Sequence, residues 1–257
     1  MDDKVLVNLL PSEVKILNER RTDGKNPKFW IKYNNEEILL INIKNIKLFF
    51  NSFIASNILK KLGINVAEYR LYELNGKICM GTKTFLKEND IMDDLTMLII
   101  KERFETADNN NFHNNDKANE LFNILKQTLG NLLIQNKEGN GNAAIITNNN
   151  KQRVSPIYDL EHSFDLYCYF NTTFVKDIEH AFNEILQHED GLEFIKACCD
   201  LDVTVLDEYI EWLTSEGFTI PQELIDNQKM VLKLSLEVFN KVYKEQIKKT
   251  HQSQTVH

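Results

Sequence analysis

The dipeptide Asn75-Gly76 constrains this chain more than any other short feature, because it joins two strand-like runs, Glu68 to Leu74 and Lys77 to Phe85. A two-residue hairpin turn needs positive φ at both positions, and Asn followed by Gly adopts it at little cost. These runs therefore predict a hairpin. A second hairpin is predicted upstream, where Phe29 to Tyr33 and Ile38 to Ile43 flank a polar turn, Asn34-Asn35-Glu36-Glu37. Between the two lies Ser52 to Leu62. Its apolar Phe53, Ile54, Ile58, Leu59 and Leu62 recur every three or four residues, and Gly63 follows as a C-cap, which predicts an amphipathic helix.

The pattern changes after residue 86. An Asn-rich polar loop spans 108–115, and Leu121 to Ile134 has helical spacing. The stretch from Asn136 to Ser155 is predicted to be a loop holding one short apolar strand, Ala143 to Ile146. Four helices are predicted beyond Phe174, over Phe174–Gln187, Leu192–Cys199, Thr204–Ser215 and Gln222–Lys249, with Gly217 and Pro221 as punctuation. The polar residues 250–257 read as a frayed end. The expected organisation is α+β and two-lobed, with a sheet plus one helix over 1–86 and a helical lobe over 87–257.

Composition narrows the classes. Hydrophobic residues at 42% and charged residues at 26% permit an ordinary core. A net charge of −8 opposes general binding to nucleic acid or to an anionic membrane, because phosphates are repelled. No apolar run approaches the roughly 18 residues of a spanning helix, and two acidic residues at the start argue against a secretion signal. Cys79, Cys168, Cys198 and Cys199 form no paired framework, which fits a reducing compartment, and Cys198-Cys199 reads as two core residues on a helix. The expectation is a soluble, cytoplasmic protein with no direct nucleic-acid or membrane partner. No His stands at metal-ligand spacing from Cys or carboxylates, so zinc is not expected. Ser163 lacks the surround of a hydrolase nucleophile, and His162 reads as structural.

Two stretches carry the chemistry. Leu132 to Ile146 is a helix end, an Asn/Gly loop and a strand; ten residues on comes Pro156-Ile157-Tyr158-Asp159. Together they resemble the HipA-type serine/threonine kinases, in which a loop of the form N-x-D-x-H-x-x-N precedes a strand and a P-[IL]-Y-D segment. Asn136 and Asn142 match the ends of the loop. Lys28-Phe29-Trp30-Ile31-Lys32 resembles the family's strand after the phosphate loop, and Ile54-Ala55-Ser56 through Leu62-Gly63-Ile64 resembles its helix. Thr82-Lys83-Thr84-Phe85-Leu86 resembles the adenine-side hinge. The resemblance runs from about residue 20 to 165. It implies a two-lobed protein-kinase-like fold with ATP and Mg²⁺ as cofactors. It also implies Asn142 and Asp159 on the metal, Glu138 at the base position, and Lys32, Lys83 and Phe85 on the nucleotide side.

The departures decide the expected activity. Ile41 stands where the family has its phosphate-pairing lysine, and Ser52 where the partner glutamate belongs. The catalytic loop is one residue short and lacks its histidine, with Gly139 and Asn140 in that stretch; the phosphate loop, Thr22 to Asn26, has a single glycine. Losing a preorganised cation costs on the order of 10² to 10³ in rate, and misplacing the base about 10² to 10⁴ more. The resemblance thus implies a pseudokinase with residual or no Mg-ATP binding that acts through a protein partner. Two alternatives stay open: an active kinase phosphorylating a protein substrate with Glu138 as base, and a structural or regulatory module without nucleotide. Lys32 is the expected stand-in for the missing lysine if it faces the cleft; Lys44 falls on the wrong face of its strand.

Overall fold

The computed structural model describes residues 6–19, 27–42, 46–106, 116–136, 143–164 and 172–254. Six strands form the first sheet: β1 (Leu6–Leu9), β2 (Lys15–Ile16), β3 (Lys28–Tyr33), β4 (Glu36–Asn42), β5 (Tyr69–Leu74) and β6 (Lys77–Lys83), in the order β1-β5-β6-β4-β3-β2. The β5–β6 turn is Asn75-Gly76, with φ of 54° and 73°, as the dipeptide dictates. The β3–β4 turn differs from expectation. It holds two residues, Asn34 (φ 49°) and Asn35 (φ 63°), so Glu36 and Glu37 belong to β4. Asparagine tolerates the left-handed region well enough for Asn-Asn to do what Asn-Gly does.

The same substitution hides a third hairpin. Asn149 (φ 47°) and Asn150 (φ 63°) join β8 (Ala143–Asn148), which contains the short strand expected at Ala143 to Ile146, to β9 (Lys151–Val154), which falls where loop was expected. With β7 (Ile91–Leu95) these strands form a second, three-stranded sheet in the order β7-β8-β9. It is backed by α2 (Met97–Thr106), an element the sequence reading passed over, and by α3 (Asp116–Leu133).

The helix α1 (Ile46–Lys61) starts six residues earlier than its apolar spacing suggested. It is also not amphipathic: every residue from Phe49 to Ser56 is buried. A helix buried all round needs packing on every side. The sheet supplies one wall; of the C-terminal helices α4 (Thr172–Ile185), α5 (Gly191–Cys199), α6 (Val205–Ser215) and α7 (Gln222–Gln254), α6 packs on it directly, and α7 reaches it through Gln228. Phe53 packs on Trp212 of α6 at 5.2 Å between ring centroids, and Phe50 meets Phe218 edge-on at 6.4 Å. Gly130 lets α3 close against the end of α1, since a Cβ there would lie 2.8 Å from Leu59 Cδ2 and 2.7 Å from Ile64 Cδ1. One hydrophobic cluster consequently runs from β4, α1 and β5 through α3 to α7.

Cys198 and Cys199 are buried in that cluster, matching their core reading. The helix α7 continues to Gln254, so residues 250–254 are helical where a frayed end was expected. No helix among the described residues is long and apolar enough to cross a membrane.

Because α1 belongs to a core shared by strands and helices, Phe53→Ala should destabilise both together. Loss of a buried Phe costs about 3–5 kcal/mol, or a fall in Tm on the order of 10 °C. Trp fluorescence and far-UV circular dichroism should report one coincident transition; separate transitions would show that the core is not shared.

Candidate functional site

A cavity of about 210 Å³ opens between the β3–β4–β6 face, the connection after β6, and the segment 158–161. Hairpin register fixes one wall. Lys28 is the cross-strand partner of Ile41, and Trp30 of Leu39, so these four side chains share one face, and all four line the cavity. Phe85 and Leu86, in the connection after β6, line it as well, and Ser52 of α1 with Tyr158, Asp159 and Glu161 form the opposite wall.

That opposite wall is held by backbone and buried polar contacts. The Ala67 amide donates to the Ile157 carbonyl at 2.8 Å, and the Ile157 amide to the Asn65 carbonyl at 3.0 Å, clamping the segment to the turn after α1. Asp159 then takes a left-handed conformation, φ 60°, with its amide donating to the Tyr69 hydroxyl at 2.8 Å. Burial raises the Tyr69 pKa, and the Asp159 charge adds to the effect, so the phenol stays protonated. Burial likewise raises Tyr158, whose hydroxyl donates to Asp94 Oδ1 at 2.7 Å. The Tyr158 ring sits 5.9 Å from that of Phe85.

Deeper in, Asn51 of α1 donates through Nδ2 to the Glu161 carbonyl at 3.3 Å and accepts at Oδ1 from Gln228 Nε2 of α7 at 2.9 Å. The next residue, Ser52, is wholly buried, and among the described residues its hydroxyl meets no hydrogen-bond partner. An unsatisfied hydroxyl in a cavity wall is a place where a ligand or ordered water completes the bonding.

The connection after β6 is fixed from the second sheet. Asp90, almost wholly buried, accepts from the Lys87 amide at 2.8 Å, from Asn148 Nδ2 at 2.7 Å and from Arg153 Nη2 at 2.7 Å. Arg153 also donates to the Phe85 carbonyl at 3.0 Å. Burial alone would raise the Asp90 carboxyl, but these donors outweigh it and hold the pKa below the usual value.

Of the sequence-derived site residues, Asp159, Lys83 and Phe85 line the cavity together. Lys83 lies at its outer end, paired with Glu36 at 2.7 Å. Lys32 is not in the cavity; it is exposed in a surface groove with Glu36, Glu37 and Lys83. Glu138, Asn142, Lys44 and the stretch Thr22 to Asn26 lie outside the described residues. Asn136 is buried at the end of α3, its Nδ2 donating to Asn131 Oδ1 at 3.1 Å. Ile41 and Ser52, the two positions where charge was expected to be missing, both face the cavity.

The sequence reading missed Lys28, Tyr69, Asn51 and Glu161. Lys28 was recoverable. A four-residue turn at 34–37 sets Trp30 opposite Ile41, whereas the true two-residue turn sets Lys28 there.

No family model matches the chain, and no curated protein does. Solved structures do. The proinflammatory kinase CtkA of Helicobacter pylori matches with a TM-score of 0.56 at 15% identity, covering 92% of this chain and 98% of that one. A chain of the Shewanella oneidensis MR-1 toxin–antitoxin complex of HipA, HipB and operator DNA matches with a TM-score of 0.61 at 14% identity, covering 85% of this chain. This chain spans 64% of the Shewanella chain's length. The chain has the HipA-like kinase fold.

Two outcomes follow from this geometry. Tyr69→Phe removes the hydroxyl that accepts from the half-buried Asp159 amide, which costs about 1 kcal/mol and should lower Tm by a few degrees; an unchanged Tm would mean the bond contributes nothing. The stability Asp90 contributes is present above its unfolded pKa, about 3.9, and is lost as pH falls through its lower folded value. Asp90→Asn should therefore flatten the acid limb of a stability–pH curve; an unaltered limb would contradict that role.

Proposed function

We propose that the chain binds a Mg²⁺-nucleotide in this cavity, transfers phosphoryl groups weakly or not at all, and acts through a protein partner. The observation that carries the reading is the composition of the cavity wall. Its hinge and sheet sides remain apolar and aromatic, with Trp30, Leu39, Phe85 and Leu86, and Asp159 remains as a hard oxygen donor, while Ile41 and Ser52 are neutral. A flat apolar slot suits a purine, and the volume is somewhat below the roughly 300–1,000 Å³ of whole small-molecule sites, which leaves phosphates to the mouth.

The donor set fits magnesium. Among the described residues no three His, Cys, Asp or Glu side chains gather as a metal cage. Mg²⁺ seldom uses one; it takes one or two carboxylates and fills its shell with water and phosphate oxygens. Asp159, with Asn142 as the second ligand implied by the resemblance, would hold it. The metal would neutralise charge on the phosphates. The chain's own residues bind and orient the base, and the Tyr69 hydroxyl holds the Asp159 backbone at its position.

The loss of charge at the two neutral positions weighs on transfer more than on binding. Catalysis depends on charge placed where it develops in the transition state, whereas binding also draws on apolar contact. The Shewanella HipA assembles with HipB and operator DNA. A protein contact is the part of that pattern compatible with a net charge of −8, since direct contact with DNA phosphates would be opposed.

A thermal-shift series tests the reading. At about 100 times its Kd, Mg-ATP stabilises by about 2.7 kcal/mol, which for this size is a rise of several degrees in Tm. The rise should disappear on chelating Mg²⁺ and in Asp159→Asn, a change that keeps a residue tolerant of positive φ. No rise at millimolar Mg-ATP would overturn nucleotide binding.

A further inference from the structure

The cavity wall carries charge immediately beside the two positions that lack it. Lys28 is the register partner of Ile41 on the neighbouring strand, on the same face, and lines the cavity with it. Glu161 lies against α1, its carbonyl bonded to Asn51, the residue before Ser52, and it lines the cavity with Ser52. We propose that Lys28 is the cation that holds the nucleotide phosphates in this site and that Glu161 is the carboxylate that orients it, an inference that rests on the nucleotide reading above.

Register and reach support the lysine. Directly opposed residues on one face of an antiparallel pair have Cβ atoms about 4.5–5.5 Å apart. A four-carbon stem rooted there can lie along the apolar wall and place its ammonium over Ile41. Lys28 is half-buried, as such a stem requires. The other wall cation, Lys83, stands opposite Ile38, three residues and about 10 Å along β4 from Ile41. Lys28 is therefore the cavity-lining cation set opposite Ile41, and a polyanion carrying Mg²⁺ needs both a cation and a metal ligand, which this cavity offers in Lys28 and Asp159.

Glu161 supplies what a lone lysine lacks. A flexible ammonium is a mobile point charge, and a carboxylate lining the same cavity limits its rotamers. The Glu161 side chain is only 16% exposed, so its charge is weakly screened. His162 Nε2, 3.9 Å from Glu161 Oε1, is the neighbouring group on the same segment. The Asn51 and Gln228 amides fix the backbone from which the carboxylate projects.

The test is isothermal titration of Mg-ATP into four proteins of the full chain: Lys28→Met, the double variant Lys28→Met with Ile41→Lys, Glu161→Gln, and Lys28→Met with Glu161→Gln. Unliganded melting temperatures serve as the folding control. Lys28→Met should weaken Mg-ATP about 10- to 100-fold, the range of a charged hydrogen bond. Returning a lysine across the hairpin with Ile41→Lys should recover most of that loss, which a merely structural role for Lys28 would not allow. Glu161→Gln should weaken binding several-fold alone and add nothing in the Lys28→Met background. Binding by Lys28→Met within twofold of the unaltered protein, or a Glu161→Gln effect that adds fully to it, would overturn the proposal while leaving the nucleotide reading intact. Failure of the unaltered protein to bind would remove both.

Discussion

The burial of α1 on every side is the constraint from which the rest follows. A stretch of eight consecutive buried residues, Phe49 to Ser56, cannot be served by a sheet alone. The C-terminal helices must close over it, and the Phe53–Trp212 and Phe50–Phe218 contacts are where they do. Such a helix also carries polar residues into the core at Asn51, Ser52 and Ser56, and each buried polar group left unpaired costs about 1–3 kcal/mol. Ser56 satisfies itself within its own turn by donating to the Phe53 carbonyl at 2.9 Å. Asn51 is satisfied by Gln228 and the Glu161 carbonyl, and in being satisfied it locks the segment carrying Asp159 to the middle of the molecule. Packing and site geometry are thus one constraint.

Against that fixed wall, the sheet wall is set by turns. Three two-residue hairpins, at Asn34-Asn35, Asn75-Gly76 and Asn149-Asn150, each fix which side chains face inward. Shifting the β3–β4 register by one residue would turn either Lys28 and Trp30 or Leu39 and Ile41 away from the cavity. The Asp90–Arg153 clamp holds the connection between the two sheets, and with it the Phe85 carbonyl. The site therefore sits on three independently fixed elements. That is a rigid pocket for a ligand, even where the charges expected of a transferase are displaced or absent.

How much of this was legible in the residues differs by element. Asn75-Gly76 announced its hairpin because both positions need positive φ and both residues supply it cheaply. The Asn-Asn turns use the same conformation with a residue that only tolerates it, so one hairpin is expected with a turn two residues too long, and in another only the first strand is expected and its partner β9 is not. The strand β7 is largely exposed and mixes Asp93 and Asp94 with apolar residues, so no alternation marks it. The helix α1 lacked the polar face that would have shown its start at Ile46, because it has almost none. In the site, Asp159 and Phe85 could be found from local motifs. Lys28 needed only the right length for the β3–β4 turn. Tyr69 and Asn51 could not be found, since their roles exist only through contacts distant in sequence; Tyr69 and Asp159 are 90 positions apart.

A crystal structure grown with Mg²⁺ and a non-hydrolysable ATP analogue decides whether this cavity is a nucleotide site. The base should lie in the slot bordered by Trp30 and Phe85, with the phosphates beside Lys28 and a metal on Asp159. An empty cavity at millimolar analogue, or the analogue bound elsewhere on the surface, would contradict it.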